Sequence, residues 1–272
     1  MKSEPLIKEI NYGKDHMLYT KHFHNDYQII YVMDGAVQVV LNNKTFTAGK
    51  NSLIFISNLE NHSVNIVETP YERYKLTISV RALENAIADA RLLSVFKNRP
   101  VGFSNVFQIA PIADEITSLF QLMHAEVNRP QSEYSEKYLQ NIMNLLILSV
   151  YRNNHDQFPI LQDSIKSQIY DIQKYLDHHY HEEFSLKDIC ANFYISFSFL
   201  SRSFKELTGY SPKQYIMLHR LSYARSLIMT TDSSISDIAH MSGFSDVNNF
   251  IRHFKHQYGH TPTHFRKHYE IE

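Results

Sequence analysis

The stretch SRSFKELTGYSPKQY, residues 201–215, has a second version fifty residues further along the chain, IRHFKHQYGHTPTHF, residues 251–265. Five positions are identical in this register and a sixth is aromatic in both copies. A match of this kind without gaps indicates a duplicated structural unit. The matched pairs are Arg202/Arg252, Phe204/Phe254, Lys205/Lys255, Gly209/Gly259, Pro212/Pro262 and Tyr215/Phe265.

A short helix is predicted before each copy. Residues 185–193 and 234–241 each begin with a serine, a preferred helix cap, and carry one apolar face. A turn of three or four residues follows, and then a second helix that we expect Ser196 or Ser245 to open. This order is typical of a helix-turn-helix unit. The predicted units cover residues 185–207 and 234–257.

One long helix is predicted between the two units. Pro212 to Met229 has proline in its first turn and apolar residues on two sides. A stiff helix between two groove-reading units would fix their separation. The natural target is two major-groove segments one helical turn apart, ~34 Å, on the same face of the duplex.

The second helix of each unit carries residues suited to reading DNA. Arginine donates twice to guanine, asparagine reads adenine, and valine or isoleucine contacts the thymine methyl group. A solvated basic face is the alternative for one copy, but two copies in register favour DNA. The predicted DNA-binding residues, which we expect to point away from the apolar face, are Ser198, Ser201, Arg202, Lys205, Val247, Asn248, Asn249, Ile251, Arg252 and Lys255.

The charge is distributed unevenly along a nearly neutral chain. The 272 residues hold 27 Lys+Arg and 28 Asp+Glu, for a net charge of −1. Residues 161–195 contain three basic and six acidic residues, whereas residues 196–272 contain nine basic and six acidic ones. The positive charge therefore begins at the first recognition helix, as contacts to phosphates require.

Length and composition predict a two-domain globular protein. Hydrophobic residues make up 43% of the chain and charged residues 20%, which excludes collagen-like and disordered classes. The single cysteine, Cys190, excludes an internal disulfide framework. The start shows no signal peptide, and no apolar run approaches the ~20 residues of a spanning helix. We expect a cytoplasmic protein with no membrane partner and no cofactor.

The first part of the chain has the alternation of short strands. Asp-Gly and Asn-Asn dipeptides between such strands are typical of hairpins, and many short strands in series suggest a sandwich or barrel. The predicted strands are Tyr27 to Met33, Ala36 to Leu41, Lys44 to Ala48 and Ser52 to Ile56, with turns at Asp34-Gly35, Asn42-Asn43 and residues 49–51.

Around Val80 the pattern changes to helical spacing. Helices are predicted over residues 83–96, 112–127 and 134–151, followed by a polar linker. The last two either cover the sheet only or also pair with a second subunit. The run Leu145 to Leu148 is apolar on more than one face, which favours pairing.

The C-terminal motifs resemble a known family. Gly-Phe-Ser-Asp at residues 243–246 and Gly-x-Thr-Pro at residues 259–262, with the two Arg-x-Phe-Lys sites, resemble the DNA-binding domain of the AraC/XylS family of bacterial transcription regulators over about residues 167–268. The resemblance implies contacts in two successive major grooves of double-stranded DNA. It also implies transcriptional activation through RNA polymerase.

A second resemblance lies in the strand region. His22-x-His24-x-x-x-Gln28, with His62 further on, resembles the cupin metal motif, in which two histidines, a carboxylate and a later histidine hold one ion. Glutamine stands where the carboxylate would be. Regulators with such a domain use it to bind a small effector, often a sugar, so His22, His24, Gln28 and His62 are the predicted effector-binding residues. Structural histidines, or a metal held by His22, His24 and His62, are the alternatives.

Together these features predict an α+β fold: an N-terminal cupin-like β-barrel with a helical dimerisation segment, and a C-terminal all-α domain of two helix-turn-helix units joined by a linker helix. The expected function is a homodimeric, effector-responsive transcriptional regulator, an activator and not an enzyme. The alternatives are a metal-dependent cupin enzyme with a DNA-binding tail, or a regulator whose empty barrel serves only oligomerisation. The predicted boundaries are 1–110 for the barrel, 111–157 for the helical segment and 167–268 for the DNA-binding domain.

Overall fold

The computed structural model describes residues 4–14, 19–41, 44–97, 99, 103–158, 164–183 and 185–269. The chain divides into two compact units, Met1–Gln162 and Asp163–Glu272. Within the described ranges, no helix combines the length and the apolar character needed to cross a membrane. The mixture of a sheet-based first unit and a helical second unit confirms the predicted α+β class.

The first unit is built around one antiparallel sheet of seven strands. Its strand order is β1-β6-β3-β5-β7, with β2 paired to β6 and β4 paired to β3. The strands at the two ends of this order do not pair with each other, so in the described part of the chain the sheet stays open instead of closing into the predicted barrel. The strands are β1 (Ile7–Gly13), β2 (Tyr19–His22), β3 (Tyr27–Leu41), β4 (Lys44–Ala48), β5 (Ser52–Ile56), β6 (His62–Ile78) and β7 (Val106–Gln108).

The predicted hairpin turn at Asp34-Gly35 is wrong. Strand β3 continues through both residues and stays paired with β6, with register shifts on either side of Asp34. Gly35 has a φ of +73°, and a Cβ there would lie 2.3 Å from the carbonyl oxygen of Pro70. A β-bulge needs the same positive φ and close backbone approach as a tight turn. The dipeptide alone therefore does not distinguish the two.

Other parts of the predicted strand pattern are confirmed. Strands β4 and β5 have the predicted bounds, and the turn between them places Asn51 at a φ of +59°. The predicted turn at Asn42-Asn43 lies outside the described residues. Alternation along β3 separates two faces. One face, with Tyr27, Ile29 and Tyr31, belongs to the core shared with the helices, and the other belongs to a second, mostly aliphatic cluster.

Four α-helices complete the part of the first unit that the structure describes. They are α1 (Val80–Ala86), α2 (Ala90–Leu93), α3 (Ala113–Val127) and α4 (Ser135–Asn154). The single helix predicted over residues 83–96 is two short helices, because the chain leaves helical geometry at Ile87 and restarts after Asp89, whose side chain caps α2. The predicted apolar stripe of the last helix is confirmed, since its members are buried: Leu139, Ile142, Met143, Leu146, Ile147 and Val150.

The second unit is helical throughout its described residues. Its central helix, α8, contacts helices of both predicted helix-turn-helix units. Leu221, Ala224 and Ile228 in its second half join the core of the second helix-turn-helix unit. The helices are α5 (Ser164–His179), α6 (Leu186–Asn192), α7 (Phe197–Thr208), α8 (Pro212–Thr230), α9 (Ile235–Met241), α10 (Val247–Tyr258) and α11 (Pro262–Tyr269).

A buried polar network joins α5 to α8. The Tyr215 hydroxyl donates to Oδ1 of Asp177 at 2.6 Å and accepts from Gln173 Nε2 at 3.0 Å. Nε2 of His219 lies 2.9 Å from the same Asp177 oxygen. Because buried polar groups are stable only with partners, this network fixes the register between the two helices.

Candidate nucleic-acid interface and histidine cluster

Short-range capping signals set the start of each recognition helix. The side chain of Ser196 accepts from Phe199 N at 3.2 Å and opens α7, as predicted. Helix α10 is capped by Asp246, whose side chain accepts from Asn249 N, and the predicted Ser245 cap is therefore wrong. Asp246 is the position that the fifty-residue register matches to Ser196, because the second turn is one residue longer.

The turn of the second helix-turn-helix unit, between α9 and α10, packs against the segment that follows α5. Gly243 has a φ of +86°, and a Cβ there would lie 2.7 Å from the carbonyl oxygen of His181. Arg220 of α8 holds the same segment, since its guanidinium donates to the carbonyl oxygens of Tyr180 at 2.7 Å and Glu182 at 2.9 Å. These contacts fix the positions of the turn, α8 and the segment after α5 relative to one another.

The two recognition helices, α7 and α10, expose the same three positions to solvent. Spacings of four and three residues place these positions on one face of each helix, opposite the fully buried Phe204 and Phe254. An arginine and a lysine on each face can donate to base edges and phosphates. The two matched faces, here named the paired basic faces, consist of Ser198, Arg202 and Lys205 in α7 and Asn248, Arg252 and Lys255 in α10.

The other predicted DNA-binding residues lie elsewhere on these helices. Val247 and Ile251 are partly buried against the core of the second helix-turn-helix unit, so the expectation that they point away from the apolar face is wrong. The apolar stripe of a helix is about 100° wide, and both positions fall within it beside Phe254. Ser201 is partly buried, and Asn249 accepts from Arg252 Nη2 at 2.9 Å through its Oδ1.

Two exposed aromatic residues beside α7 were not predicted. Tyr194, in the first turn, has a φ of +53° and is 94% exposed, and Phe197 opens α7 with 56% of its surface exposed. The internal alignment held a signal for both. Tyr194 aligns with Gly243 in the longer second turn, and Phe197 aligns with Val247. Only the first helix-turn-helix unit has aromatic side chains at these two positions, so the two helix-turn-helix units differ chemically there.

In the first unit, three of the four predicted effector-binding residues come together. One ring nitrogen from each of His22, His24 and His62 lies within 4.8 Å of the other two. Ring centroids are 4.3 Å apart for His22 and His62, and 5.0 Å apart for His24 and His62. The fourth residue, Gln28, is buried on β3, where its neighbours across the sheet are Ile56 and Thr77.

Backbone carbonyls orient two rings of this histidine cluster. Nδ1 of His24 donates to the carbonyl oxygen of Asp26 at 2.7 Å, and Nδ1 of His62 donates to that of Glu60 at 2.9 Å. Burial, followed by the nearby rings of His24 and His22, lowers the pKa of His62 well below its usual value of 6.5. The His62 ring is therefore neutral at pH 7.

The fold and the paired basic faces define a DNA-binding protein: a sheet-based domain followed by a tandem pair of helix-turn-helix units. Comparison with known families agrees at both ends of the chain. Residues 11–143 match an AraC-like ligand binding domain, and residues 189–268 match a helix-turn-helix domain. The chain belongs to the AraC family of transcriptional regulators.

Individual relatives support the same assignment over most of the chain. The transcriptional activator RhaS of Yersinia pestis is 24% identical over 256 residues, which cover 91% of this chain and 89% of RhaS. ToxT from Vibrio cholerae has a similar fold, with a TM-score of 0.61 at 17% identity over 96% of this chain and 98% of ToxT. An uncharacterized transcriptional regulator of Staphylococcus aureus, SAS0078, is 25% identical over 89% of this chain and 31% of its own length.

Proposed function

We propose that the protein is a sequence-specific transcriptional activator, and not an enzyme, that reads two successive major grooves through its paired basic faces. The observation that carries this proposal is the repetition of an exposed arginine and lysine at the same two positions of α7 and α10. Arginine placed in a major groove donates to guanine, and lysine neutralises phosphates. The activator role follows the similarity to RhaS, which is named an activator. Contacts to RNA polymerase are proposed from the family resemblance alone.

We further propose that the first unit binds a small-molecule effector near His22, His24, Gln28 and His62. The match to an AraC-like ligand binding domain supports this proposal. So does the solved structure of ToxT bound to an unsaturated fatty acid, which has a TM-score of 0.60 to this chain at 18% identity over 98% of this chain and 97% of ToxT. An effector-dependent change in the DNA footprint is the expected result. A footprint that no small molecule changes would favour the alternative of a regulator whose empty barrel serves only oligomerisation.

Alanine at Arg252 and alanine at Lys205 are expected to act differently on DNA binding. Arg252→Ala should weaken binding to the preferred sequence by about 1–3 kcal/mol and reduce the preference over random DNA. Lys205→Ala should weaken binding to both alike and reduce the slope of log affinity against log salt by about 1. The measurement is fluorescence anisotropy on a duplex selected from a random library and on a scrambled duplex, at several salt concentrations.

The matched control for both variants is Arg129→Ala, which removes an exposed positive charge from the first unit. It should leave both affinities and the salt slope unchanged. Equal losses for Arg252→Ala on selected and scrambled DNA would remove this residue from base recognition.

The outer face of α4 supports a homodimer. Tyr138, Leu145 and Leu148 of this helix, with Tyr134 at its N-cap, are exposed apolar side chains, while the inner stripe of the helix is already buried in the first unit. Their positions repeat every three, four or seven residues, the spacing that brings two helices together along an apolar seam. We propose that this face pairs with the same face of a second copy.

The double variant Leu145→Glu with Leu148→Glu is expected to shift the protein from dimer to monomer, because burying two carboxylates in a dimer interface is strongly unfavourable. Sedimentation velocity across a range of concentrations measures the change. Val67→Glu places the same charge on an exposed apolar position of β6 and is the control. A double variant that sediments as the parent protein does would place the dimer interface elsewhere.

A further inference from the structure

We propose that a groove in the second unit, between α6, the start of α7 and the first half of α8, binds a small organic anion with an apolar body. The groove, here named the α6–α8 groove, has a cavity volume of about 1040 Å³. Pockets for drug-sized ligands occupy roughly 300–1,000 Å³, so the space is ample for one small molecule. The site lies within the helical unit and is separate from the effector site proposed for the first unit.

Apolar side chains make up much of the lining of the α6–α8 groove. Ile216 is buried, Leu186, Cys190 and Met217 are partly exposed, and Phe197 is 56% exposed. A ligand that covers this apolar surface removes it from water, which is favourable. The Phe197 ring can stack on an aromatic ligand, and a methionine thioether makes favourable contacts with aromatic rings. The lining therefore suits a ligand with an apolar body, above all an aromatic one.

The charged side chains that line the α6–α8 groove are positive. Lys187 of α6 and Lys213 of α8 are exposed, and within the described residues neither forms an ion pair. Arg220 uses two of its five N–H donors on the carbonyl oxygens of Tyr180 and Glu182, which leaves three. None of the described lining residues is acidic. Three cations beside an apolar lining select a ligand that carries a negative charge.

The second copy of the duplicated unit shows that the fold does not require this lining. An offset of 49 residues aligns α6 with α9, and an offset of 50 residues aligns α7 and α8 with α10 and α11. In the second copy hydroxyl side chains replace both lysines, valine replaces Phe197, and cations replace the two apolar residues of α8: Ser236, Thr263, Val247, Arg266 and Lys267. Cations combined with apolar side chains in this pattern belong to the first copy, as a binding site of that copy would require.

The α6–α8 groove adjoins the face of α7 that is proposed to read DNA. Phe197 lines the groove and is the first residue of α7, and the next residue, Ser198, belongs to the paired basic faces. A bound anion places a negative charge beside a helix that must approach phosphates, and like charges repel. This consequence rests on the proposed function. We expect a bound anion to weaken DNA binding, more at low salt than at high salt, because salt screens the repulsion.

The test compares two fluorescent dyes on the full-length chain. 8-Anilinonaphthalene-1-sulfonate is the anionic dye, and N-phenyl-1-naphthylamine is the same molecule without the sulfonate. The double variant Lys187→Gln with Lys213→Gln should weaken binding of the anionic dye roughly 5–25-fold, as the loss of two exposed ion pairs predicts, and leave the neutral dye unchanged. Phe197→Val, which copies the residue of the second copy, should weaken both dyes roughly 2–10-fold, because it removes an aromatic contact.

Cys190 reports whether the dye lies in the α6–α8 groove. It is the one cysteine of the chain and lines the groove, so alkylation by the neutral reagent iodoacetamide follows a single site. At a dye concentration about ten times its Kd, about nine-tenths of the sites are occupied, and the alkylation rate should fall about tenfold. An alkylation rate that neither dye changes would place both dyes elsewhere, as in the first unit, and would overturn the proposal.

The matched control is Lys255→Gln with Lys267→Gln, which removes two exposed charges from the second helix-turn-helix unit. It should leave both dyes unchanged. The proposal is overturned if this control weakens the anionic dye as much as the groove variant does, or if the groove variant binds both dyes as the parent protein does.

Gel shifts at low and high salt measure the effect on DNA. A saturating concentration of the anionic dye should weaken binding of the parent protein to both the selected and the scrambled duplex. Unchanged affinity for DNA at full occupancy of the groove would overturn the expected repulsion. A parent protein that binds the anionic dye in the groove but binds neither duplex would reject the proposed function and leave this site in place.

Discussion

Lys97→Met is expected to lower the free energy of unfolding of the first unit by about 3–5 kcal/mol. Lys97 and Glu84 form an ion pair whose side chains are 1% and 0% exposed, and Glu84 also accepts from the Tyr27 hydroxyl at 3.3 Å. Methionine fills the space of the lysine stem but leaves the Glu84 carboxylate buried without its cation. An uncompensated buried charge is far less stable than either the pair or two apolar groups.

Urea denaturation followed by circular dichroism measures this loss. Lys50→Met is the matched control, since Lys50 and Asp34 form a largely exposed pair at 3.2 Å and exposed pairs contribute about 0–1 kcal/mol. The double variant Lys97→Met with Glu84→Leu should recover most of the stability, because both charges leave the core together. A loss of stability for Lys97→Met no larger than that for Lys50→Met would show that the Lys97–Glu84 pair is not buried in the folded protein.

Gly243→Ala is expected to destabilise the second unit and to weaken DNA binding. A non-glycine residue in the left-handed region costs roughly 1–2 kcal/mol. At Gly243 the added Cβ would also meet backbone atoms of His181 at 2.7 and 2.8 Å, so the turn must move away from the segment after α5. Because α10 begins four residues later, Asn248, Arg252 and Lys255 would lose their placement relative to the face of α7.

Gly259→Ala separates the cost of the left-handed backbone conformation from the cost of the contact between the new Cβ and His181. Gly259 has a φ of +79°, close to that of Gly243, but its Cβ would meet no atom within 4 Å. This variant should lose only the free energy that the left-handed backbone conformation costs a non-glycine residue, roughly 1–2 kcal/mol. Thermal unfolding and anisotropy on selected DNA measure both variants. Equal losses at the two glycines would show that contact with His181 contributes nothing to the placement of α10.

Local signals account for most of the helical unit. The fifty-residue register, the serine caps at Ser185, Ser196 and Ser234, and the proline that opens α8 act within one or two turns of chain, and the helix bounds follow them closely. The Ser245 prediction failed by one residue because two adjacent polar residues, Ser245 and Asp246, both suit a cap. The choice between them depends on the path of the longer turn.

Helical spacing accounts for the direction in which these predicted site residues point. The positions of Arg202 and Arg252 on exposed faces follow from it, and contact with DNA stays a prediction for both. Val247 and Ile251 stand seven and three residues before Phe254, within the apolar stripe of α10, and both pack against the core. The prediction that these two side chains face outward was therefore wrong at the level of spacing, before any tertiary packing.

The sequence by itself determined the duplicated helix-turn-helix architecture, the strand and helix periods and the set of histidines, because each depends on residues close together along the chain. Only the tertiary structure decided that β3 runs through Gly35 as a bulge, that Lys97 is buried against Glu84, and that His62 meets His22 and His24. Each of these depends on the approach of distant segments: a bulge is distinguished from a turn only by the strand beside it. A charge is stable in a core, and distant histidine rings form one cluster, only through partners that other segments supply.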